Sequence, residues 1–577
     1  MTHLAVRHRS GFDELLSRHV RWQAVIALLG LLLVVALLSY ATYTYTSEYV
    51  PARGGVFVEG VVGNPQYINP VLCQYNEVDR DLCALVFNGL LRFDEQGNLQ
   101  PDLAESWEVN ATATVYTFTL RSDIRWHDGL RITADDVIFT VQLMQDPELP
   151  VLPDLAALWR SVIPIRVNDR TVVFQLSGPY AAFPDYTTIR WFGVLPRHYW
   201  QRYSPAELPQ AQLNTQPIGS GPFRVTEIDS QHVRLEPNLR QMDETPYLDA
   251  LEFRFYPDYG SILAAAEMGE VHGVSRILPE YLSQAENMPD LQLFTSPLPG
   301  YSLILFNVDN PNAPFLQEQA VRQALAYGLN RERLLNDVIP GVGMPADSPI
   351  LPGTWAYNPD IPRYEYSPEQ ARTLLDASGW VDTDGDGIRD KDGVPLSFAL
   401  MIDDAPSSLL IAQTVAADWA QIGVQVQPEP VSFTGLVSDF LVPRNFAAAI
   451  VQWELIGDPD PYPLWHSSQI SPEGQNFSGW QNRDADIAME QARITPVRAE
   501  RARYYRQFQT YFAQDVPAIL LYYPLYTYGA STAVNNMEVG RLNVPADRFR
   551  TFPRWYILTH KVTLAQRQLL QLDKPQE

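Results

Sequence analysis

The amino-acid sequence describes an α/β protein of more than one lobe, preceded by an apolar helix. Three observations predict this. The chain has 577 residues, more than a single hydrophobic core organises. Segments that alternate apolar with polar residues, as half-buried strands do, are interleaved with segments of helical spacing. An unbroken apolar run, AVIALLGLLLVVALL, occupies residues 24–38 and has the composition of a membrane segment.

Arg7, Arg9, Arg18 and Arg21 precede that run, and Ser39, Tyr40 and Ala41 extend it toward spanning length. A cleaved secretory signal and an uncleaved anchor both fit. A long N-terminal tail, the lack of a clean A-x-A cleavage site, and Trp22, Tyr40, Tyr43 and Tyr45 at interface positions favour an anchor over residues 23–45. The basic tail 1–22 then stays cytoplasmic and the bulk faces outward.

Composition narrows the function classes. Hydrophobic residues make up 46% and aromatic residues 11% of the chain, which excludes extended disorder. A formal net charge of −25 without a Lys/Arg cluster argues against general nucleic-acid binding.

Residues 98–140 carry the densest local signals. VYTFTL (115–120) alternates as a half-buried strand. His127-Asp128-Gly129 supplies a turn after Trp126. Thr133 followed by Asp136 predicts a capped helix through VIFTVQLM that stops by Pro147. Ahead of this unit VFVEGVV (56–62) reads as a first strand, and LDALEFRFYPD (248–258) as a later one. SILAAAEMGEVHG (261–273) is helical in pattern, and YSLILFN (301–307) is a mostly apolar strand. VRQALAYGLNRERLL has helical spacing through Val321, Leu325, Leu329 and Leu335. SLLIAQTVAADWAQIGVQVQPEPVS (408–432) reads as a helix running into a strand.

The unit at 98–140, with FNGLLRFDEQGNLQPDLAESWE (87–108) before it, resembles the signature of the family 5 extracellular solute-binding proteins. These are the oligopeptide-, dipeptide- and nickel-binding receptors of ABC importers. The resemblance continues in IGSGPFRV (218–225), in YSLILFN with VRQALAYGLNR, in WELIGDPDPYPLWHSSQ (453–469) and in DVPAILLYYPLY (515–526). It implies a two-lobe, periplasmic-binding-protein-like fold of class II. Lobe 1 would take residues 54–300, with a subdomain at about 95–215, and lobe 2 residues 301–515; 516–560 would return to lobe 1, leaving 561–577 as a tail. Crossings near YSLILFN and DVPAILLYYPLYTYG would form a hinge about which the lobes close on a solute. The implied partners are ABC permease subunits and a peptide-like or other small oligomeric solute, with no cofactor required and ATP consumed on separate subunits.

The resemblance also directs the search for ligand residues. Peptide receptors of this family commonly carry an aspartate three residues after a tryptophan in the WELIGDPD region, to pair with the peptide ammonium. Here Trp453 is followed at that distance by Ile456, while carboxylates stand at Glu454, Asp458 and Asp460. Either one of them assumes the role or the solute lacks a free amine. Trp453 offers a flat apolar face in a cleft or packs in the core. Tyr75, Asn76, Tyr301, Asn307 and Asn476 are further cleft candidates, and His466 reads as structural.

Three features stand apart. Cys73 and Cys83, the two cysteines, flank a short loop and, facing outward, predict a disulfide, with two buried thiols as the alternative. DTDGDGIRDKDG (382–393) sets Asp382, Asp384 and Asp386 at alternating positions before Gly387, as calcium loops do, with Gly393 where an EF-hand has its glutamate and Asp390 or Asp392 as substitutes. An acidic solvated turn is the other reading. Asp458 and Asp460 also permit an acid/base pair of a glycosidase. They are separated only by Pro459, however, and the chain has no G-x-S-x-G, H-E-x-x-H or P-loop motif, so binding is favoured over catalysis. A tethered solute sensor and a binder of oligosaccharide or metal chelate are the remaining alternatives.

Overall fold

A computed structural model describes residues 10–242, 244–455 and 457–563. Two compact units emerge, one formed by the two ends of the chain and the other by Val56–Trp555. In the first, a helix runs over Ser10–Thr46, and its stretch Trp22–Tyr45, with mean hydropathy 2.7, is long and apolar enough to cross a membrane. The strand Ser47–Pro51 pairs antiparallel with Thr559–Thr563 in this unit. Residues from Tyr556 therefore group with the N-terminal segment. The expected tail lies, after residue 563, outside the described residues.

The second unit is built on a 12-stranded sheet. Its centre is the strand Ala518–Ser531, whose 14 residues are long enough to serve two half-sheets. Ala518–Tyr522 pairs with Gly300–Phe306, beyond which lie Ala448–Glu454, Ser397–Asp403 and Gln425–Val431. Leu525–Ser531 pairs instead with Leu291–Pro297. On that side lie Gly273–Val274, Val56–Val62, Ala250–Tyr256, His232–Pro237 and Phe223–Ile228. The backbone thus passes from one half to the other twice, at 297–300 and at 522–525, along adjacent strands.

The central strands of each half, Gly300–Phe306 and Val56–Val62, are buried on both faces, which explains their near-continuous apolar sequences. Along Gly300–Phe306, Ile304 and Phe306 join a core with Leu325 and Trp419. Tyr301, Leu303 and Leu305 face the opposite core with Trp465 and Trp480. In the other half Val58 packs with Ile262, Leu263 and Val274.

A four-stranded antiparallel sheet, in the order Ala104–Val109, Val115–Leu120, Thr171–Leu176 and Val162–Arg166, forms the subdomain with helices Ala134–Gln145 and Pro153–Arg160. In Val115–Leu120 every second residue is buried, as the alternation predicts. The Thr133 amide donates to Asp136 Oδ2 at 2.9 Å, closing the predicted cap. Gly129 takes φ +92° in the turn after Trp126. His127 ties that turn to IGSGPF: its Nδ1 accepts the Gly219 amide at 3.2 Å, and burial lowers its pKa, favouring the neutral ring. A side chain at Gly219 would fall 1.9 Å from the Val86 carbonyl, so the glycine is required by close approach.

The helix expected across residues 321–335 is shorter. It spans Gln319–Tyr327 and ends at Gly328. Asn330 then caps a new turn through the Arg333 amide at 2.9 Å. Gly-Leu-Asn is a stop and a restart that apolar spacing alone does not reveal.

The predicted disulfide is not formed. Cys73 and Cys83 are buried free thiols, each directed at a carbonyl, Pro70 O and Tyr67 O respectively, at 3.8 Å. Both sit in a packed interior as small hydrophobes, and burial pushes the Cys83 thiol well above its ordinary pKa. Asp382, Asp384 and Asp390 bring carboxylate oxygens within 4.8 Å of one another, and Asp386 is not in that group. The Gly385 and Gly387 amides donate to Asp382, and Thr383 donates to Asp390.

Candidate functional site

Between the two halves lies a cavity of about 600 Å³. Phe87, Phe93, Arg190 and Asn543 line it from the first lobe, and Pro299, Leu351, Leu455 and Pro459 from the second. Leu455, Gly457 and Pro459 belong to the segment after the strand Ala448–Glu454, which the sheet delivers to the cleft because that strand pairs with Gly300–Phe306 at the crossing.

Around the cavity the lobes are drawn together. The Ala181 amide donates to the Arg493 carbonyl at 2.7 Å, and Arg498 Nη1 to Asn98 Oδ1 at 2.6 Å. Gln475 Nε2 donates to Asp154 Oδ2 at 2.8 Å. The Arg493 guanidinium stands over the Tyr180 ring of one lobe at 5.0 Å and the Tyr462 ring of the other at 3.9 Å. Gly457 makes this approach feasible, since a side chain there would fall 2.6 Å from the Phe93 ring.

The three carboxylates after Trp453 are each paired with arginine. Glu454, largely exposed, lies 3.8 Å from Arg190 Nη2 across the cleft. Asp458 is buried, with Oδ2 2.5 Å from Arg501 Nη2 and Oδ1 accepting from Tyr505 at 3.0 Å. Burial raises its pKa and Arg501 opposes that rise. Asp460 Oδ2 accepts from Arg493 Nε at 2.8 Å. Facing Asp458 from the other lobe is Asp185, whose pKa burial and the Asp458 charge raise well above the carboxylate range.

None of the nine ligand candidates is among the residues lining the cavity. Trp453 is half-buried, edge-on to Tyr301 at 5.9 Å and to Trp465 at 5.4 Å. Tyr301 is buried, and its hydroxyl accepts from Trp465 Nε1 at 3.2 Å. Asn307 donates to the Arg444 carbonyl at 2.8 Å, and Asn476 to the carbonyls of Trp465, His466 and Trp480. Asn76 caps the helix Glu77–Val86 through the Val78 amide at 2.9 Å, and Tyr75 is exposed beside it. His466 stacks on Tyr462 at 4.0 Å.

The cavity's own polar groups escaped the sequence. Arg190 Nη1 donates to the Asn543 carbonyl at 3.0 Å, Arg541 Nη1 to the Gly353 carbonyl of the opposite lobe at 3.1 Å, and Arg550 Nη2 lies 2.9 Å from Asp547. Arg541, Asn543 and Arg550 lie close together in sequence but 353 positions separate Arg190 from Asn543, and no period or motif marks them.

The family model for bacterial extracellular solute-binding proteins, family 5, matches residues 98–474. The oligopeptide-binding protein AppA of Bacillus subtilis is 31% identical over 485 residues, 82% of this chain and 87% of AppA. The dipeptide-binding protein of Escherichia coli is 26% identical over 80% of this chain and 87% of its own. Among solved structures, AppA in complex with a nonapeptide superposes with TM-score 0.67 at 28% identity, covering 88% of this chain and all of that one. NikZ from Campylobacter jejuni in complex with Ni(L-His) gives TM-score 0.67 at 26% identity over 87% and 99%. Two half-sheets joined by two crossing strands around one cavity, together with these matches, place the chain in the family 5 extracellular solute-binding proteins.

Proposed function

We propose that the protein is the solute-capturing subunit of an ABC importer, taking a peptide-like solute between its lobes by hinge closure. The observation that carries this is the 600 Å³ cavity lined from both lobes at the double crossing. Its volume is that of a small-ligand site, and adjacent crossing strands permit rigid rotation of one half against the other. The relatives named for oligopeptides and dipeptides favour a peptide-like solute. The apolar stretch Trp22–Tyr45 tethers the receptor to the membrane, with the bulk outside, and the receptor performs no chemistry on its solute. Trp453 and Glu454 form the rim next to Arg190. The converging carboxylates of Asp382, Asp384 and Asp390 take calcium in a stabilising role.

Native mass spectrometry of the detergent-solubilised full chain tests the capture. A peptide-sized mass released on activation is expected, as is a smaller radius of gyration on adding the released solute. A solute-free protein that no peptide pool compacts would overturn the proposal.

A further inference from the structure

The cavity holds an imbalance of unspent donors that bears on which solute enters it. Of its five carboxylates, four are committed; the fifth, Glu95, is exposed. Asp94 closes its own turn through the Gln96 and Asn98 amides. Asp102 accepts from Asn88 at 2.9 Å, Glu244 pairs with Arg554 at 3.1 Å, and Asp547 with Arg550 at 2.9 Å. Asp458 and Asp460, near the second lobe's lip, are paired with Arg501 and Arg493; Glu454, 71% exposed, is held only loosely. Such acids do not readily offer a solute ammonium a desolvated partner.

The donors are less committed. Arg541 makes one bond, to the Gly353 carbonyl, and no carboxylate pairs with it among the described residues. Burial lowers its pKa with no acidic group opposing the shift. Among the described residues the salt bridge of Arg190, whose side chain is 18% exposed, is to Glu454, at 3.8 Å and itself 71% exposed, an arrangement of small worth, with Asp547 a further acid nearby. Asn543 Nδ2 is buried with no hydrogen-bond partner. Arg190 and Asn543 are joined through the Asn543 carbonyl, and Arg550 Nη1 donates to the Arg541 carbonyl at 3.4 Å. The four residues therefore hold one wall together, and all four line the cavity. Planar guanidinium groups and an amide with donors to spare match the two oxygens of a carboxylate.

We infer that this wall, Arg190, Arg541 and Asn543 with Arg550 behind them, binds a carboxylate of the solute, so that the receptor selects anionic over cationic peptides. This rests on the capture reading above and adds the class of solute. A chain of formal net charge −25 thus gathers three arginines, Arg190, Arg541 and Arg550, on one wall of its cleft.

The test uses the full chain in detergent and three pools of random tetrapeptides. One has free C-terminal carboxylates and no acidic side chains, the second is the same pool amidated, and the third is amidated but carries one glutamate. Retention is read by equilibrium dialysis with mass spectrometry. The free-acid or the glutamate pool should be retained about tenfold or more above the plain amidated pool, which carries no carboxylate, as expected for charge-assisted bonds, and which one identifies the carboxylate. Arg541→Met should abolish that preference, bringing retention of the free-acid and glutamate pools down to that of the amidated pool measured on the same variant. Asn543→Ala, which removes the unpartnered donor, should reduce it in the same direction. Equal retention of all three pools by the parent protein would overturn the carboxylate site and leave peptide capture standing. Retention of none would overturn both.

Discussion

Replacement of Arg501 by methionine tests the junction that holds the lobes together. Arg501 is buried, sits 2.5 Å from Asp458 Oδ2 and 3.1 Å from the Tyr505 hydroxyl, and reaches the Ala181 carbonyl of the other lobe at 3.4 Å. Asp185 faces the same spot. Without the guanidinium, Asp458 and Asp185 become two buried carboxylates with no buried counter-charge. Removing one member of a buried pair costs roughly 3–5 kcal/mol. Unfolding entropy of about 2.1 cal/mol/K per residue amounts to about 1 kcal/mol per degree over the roughly 500 residues of Val56–Trp555. Calorimetry at pH 7.5 should therefore show a single-variant drop of about 3–5 °C. The double variant Arg501→Met/Asp458→Leu removes both charges and should recover most of that loss, because a well-packed apolar replacement of an ion pair is close to neutral. A single variant within about 1 °C of the parent, or a double variant no better than the single, would refute the charge argument.

Four further outcomes follow from other parts of the molecule. Arg548 is fully buried between Glu59, 2.9 Å from its Nε, and Asp81, 2.6 Å from its Nη2, so Arg548→Met should lower the melting temperature by about 3–5 °C as well; a neutral effect would show that the triad is dispensable. Burial raises the Asp185 pKa, so its charged form is disfavoured with the lobes together, and the stability held at low pH is lost as pH rises through the raised value; Asp185→Asn, facing Asp458, Arg501 and Arg498, should raise the melting temperature at pH 8 and not at pH 5, and the opposite order would contradict the shift. Cys73 and Cys83 should stay unlabelled by a thiol reagent in the native protein and both react in 6 M guanidinium, whereas a native protein lacking both thiols even when denatured would mean that they pair. Calcium at about 2 mM should raise the melting temperature by about 1–2 °C if the acidic loop binds with extracellular-module affinity, with Asp384→Asn removing the effect; no shift would dismiss the ion.

What the sequence made legible is what repeats along it. Val115–Leu120 betrays its strand by alternation and Ala134–Gln145 its start by Thr133 and Asp136, because both signals are local and set by backbone periodicity and capping. Gly300–Phe306 reads as an apolar strand because it is covered on two faces. The arginine partners of the cleft were hidden for the opposite reason. Arg190 meets Asn543 across 353 positions and Arg501 meets Asp458 across 43, separations that leave no trace in any window. Asp458 and Asp460 therefore looked like free acids, and in space they became close ion pairs, while Glu454 stays largely exposed. The helix 321–335 and the disulfide misled in a related way, since Gly328 and the packing around Cys73 are decided by neighbours that spacing does not contain.

The cross-lobe contacts fall into two groups with different consequences for binding. Those around Arg493, Arg498 and Arg501 join one lobe to the other directly, through Ala181, Asn98 and the Tyr180 ring, and need no solute. They bias the protein toward the lobes-together state and lower the free energy a solute must supply to complete it. Those around Arg190 and Arg541 border the cavity, and they are the weak ones: a 3.8 Å pair to an exposed Glu454 and a single bond to the Gly353 carbonyl. A solute carboxylate at that wall displaces Glu454 into water at little cost, because the pair it breaks is nearly solvated already, and gains charge-assisted bonds in a site where few other acids remain unpaired. On this account Glu454→Gln, which removes the competing charge, should tighten binding of an acidic peptide and leave that of its amide unchanged. A variant that instead weakened acidic-peptide binding would show that Glu454 orients Arg190 for the solute, where competition for it is expected.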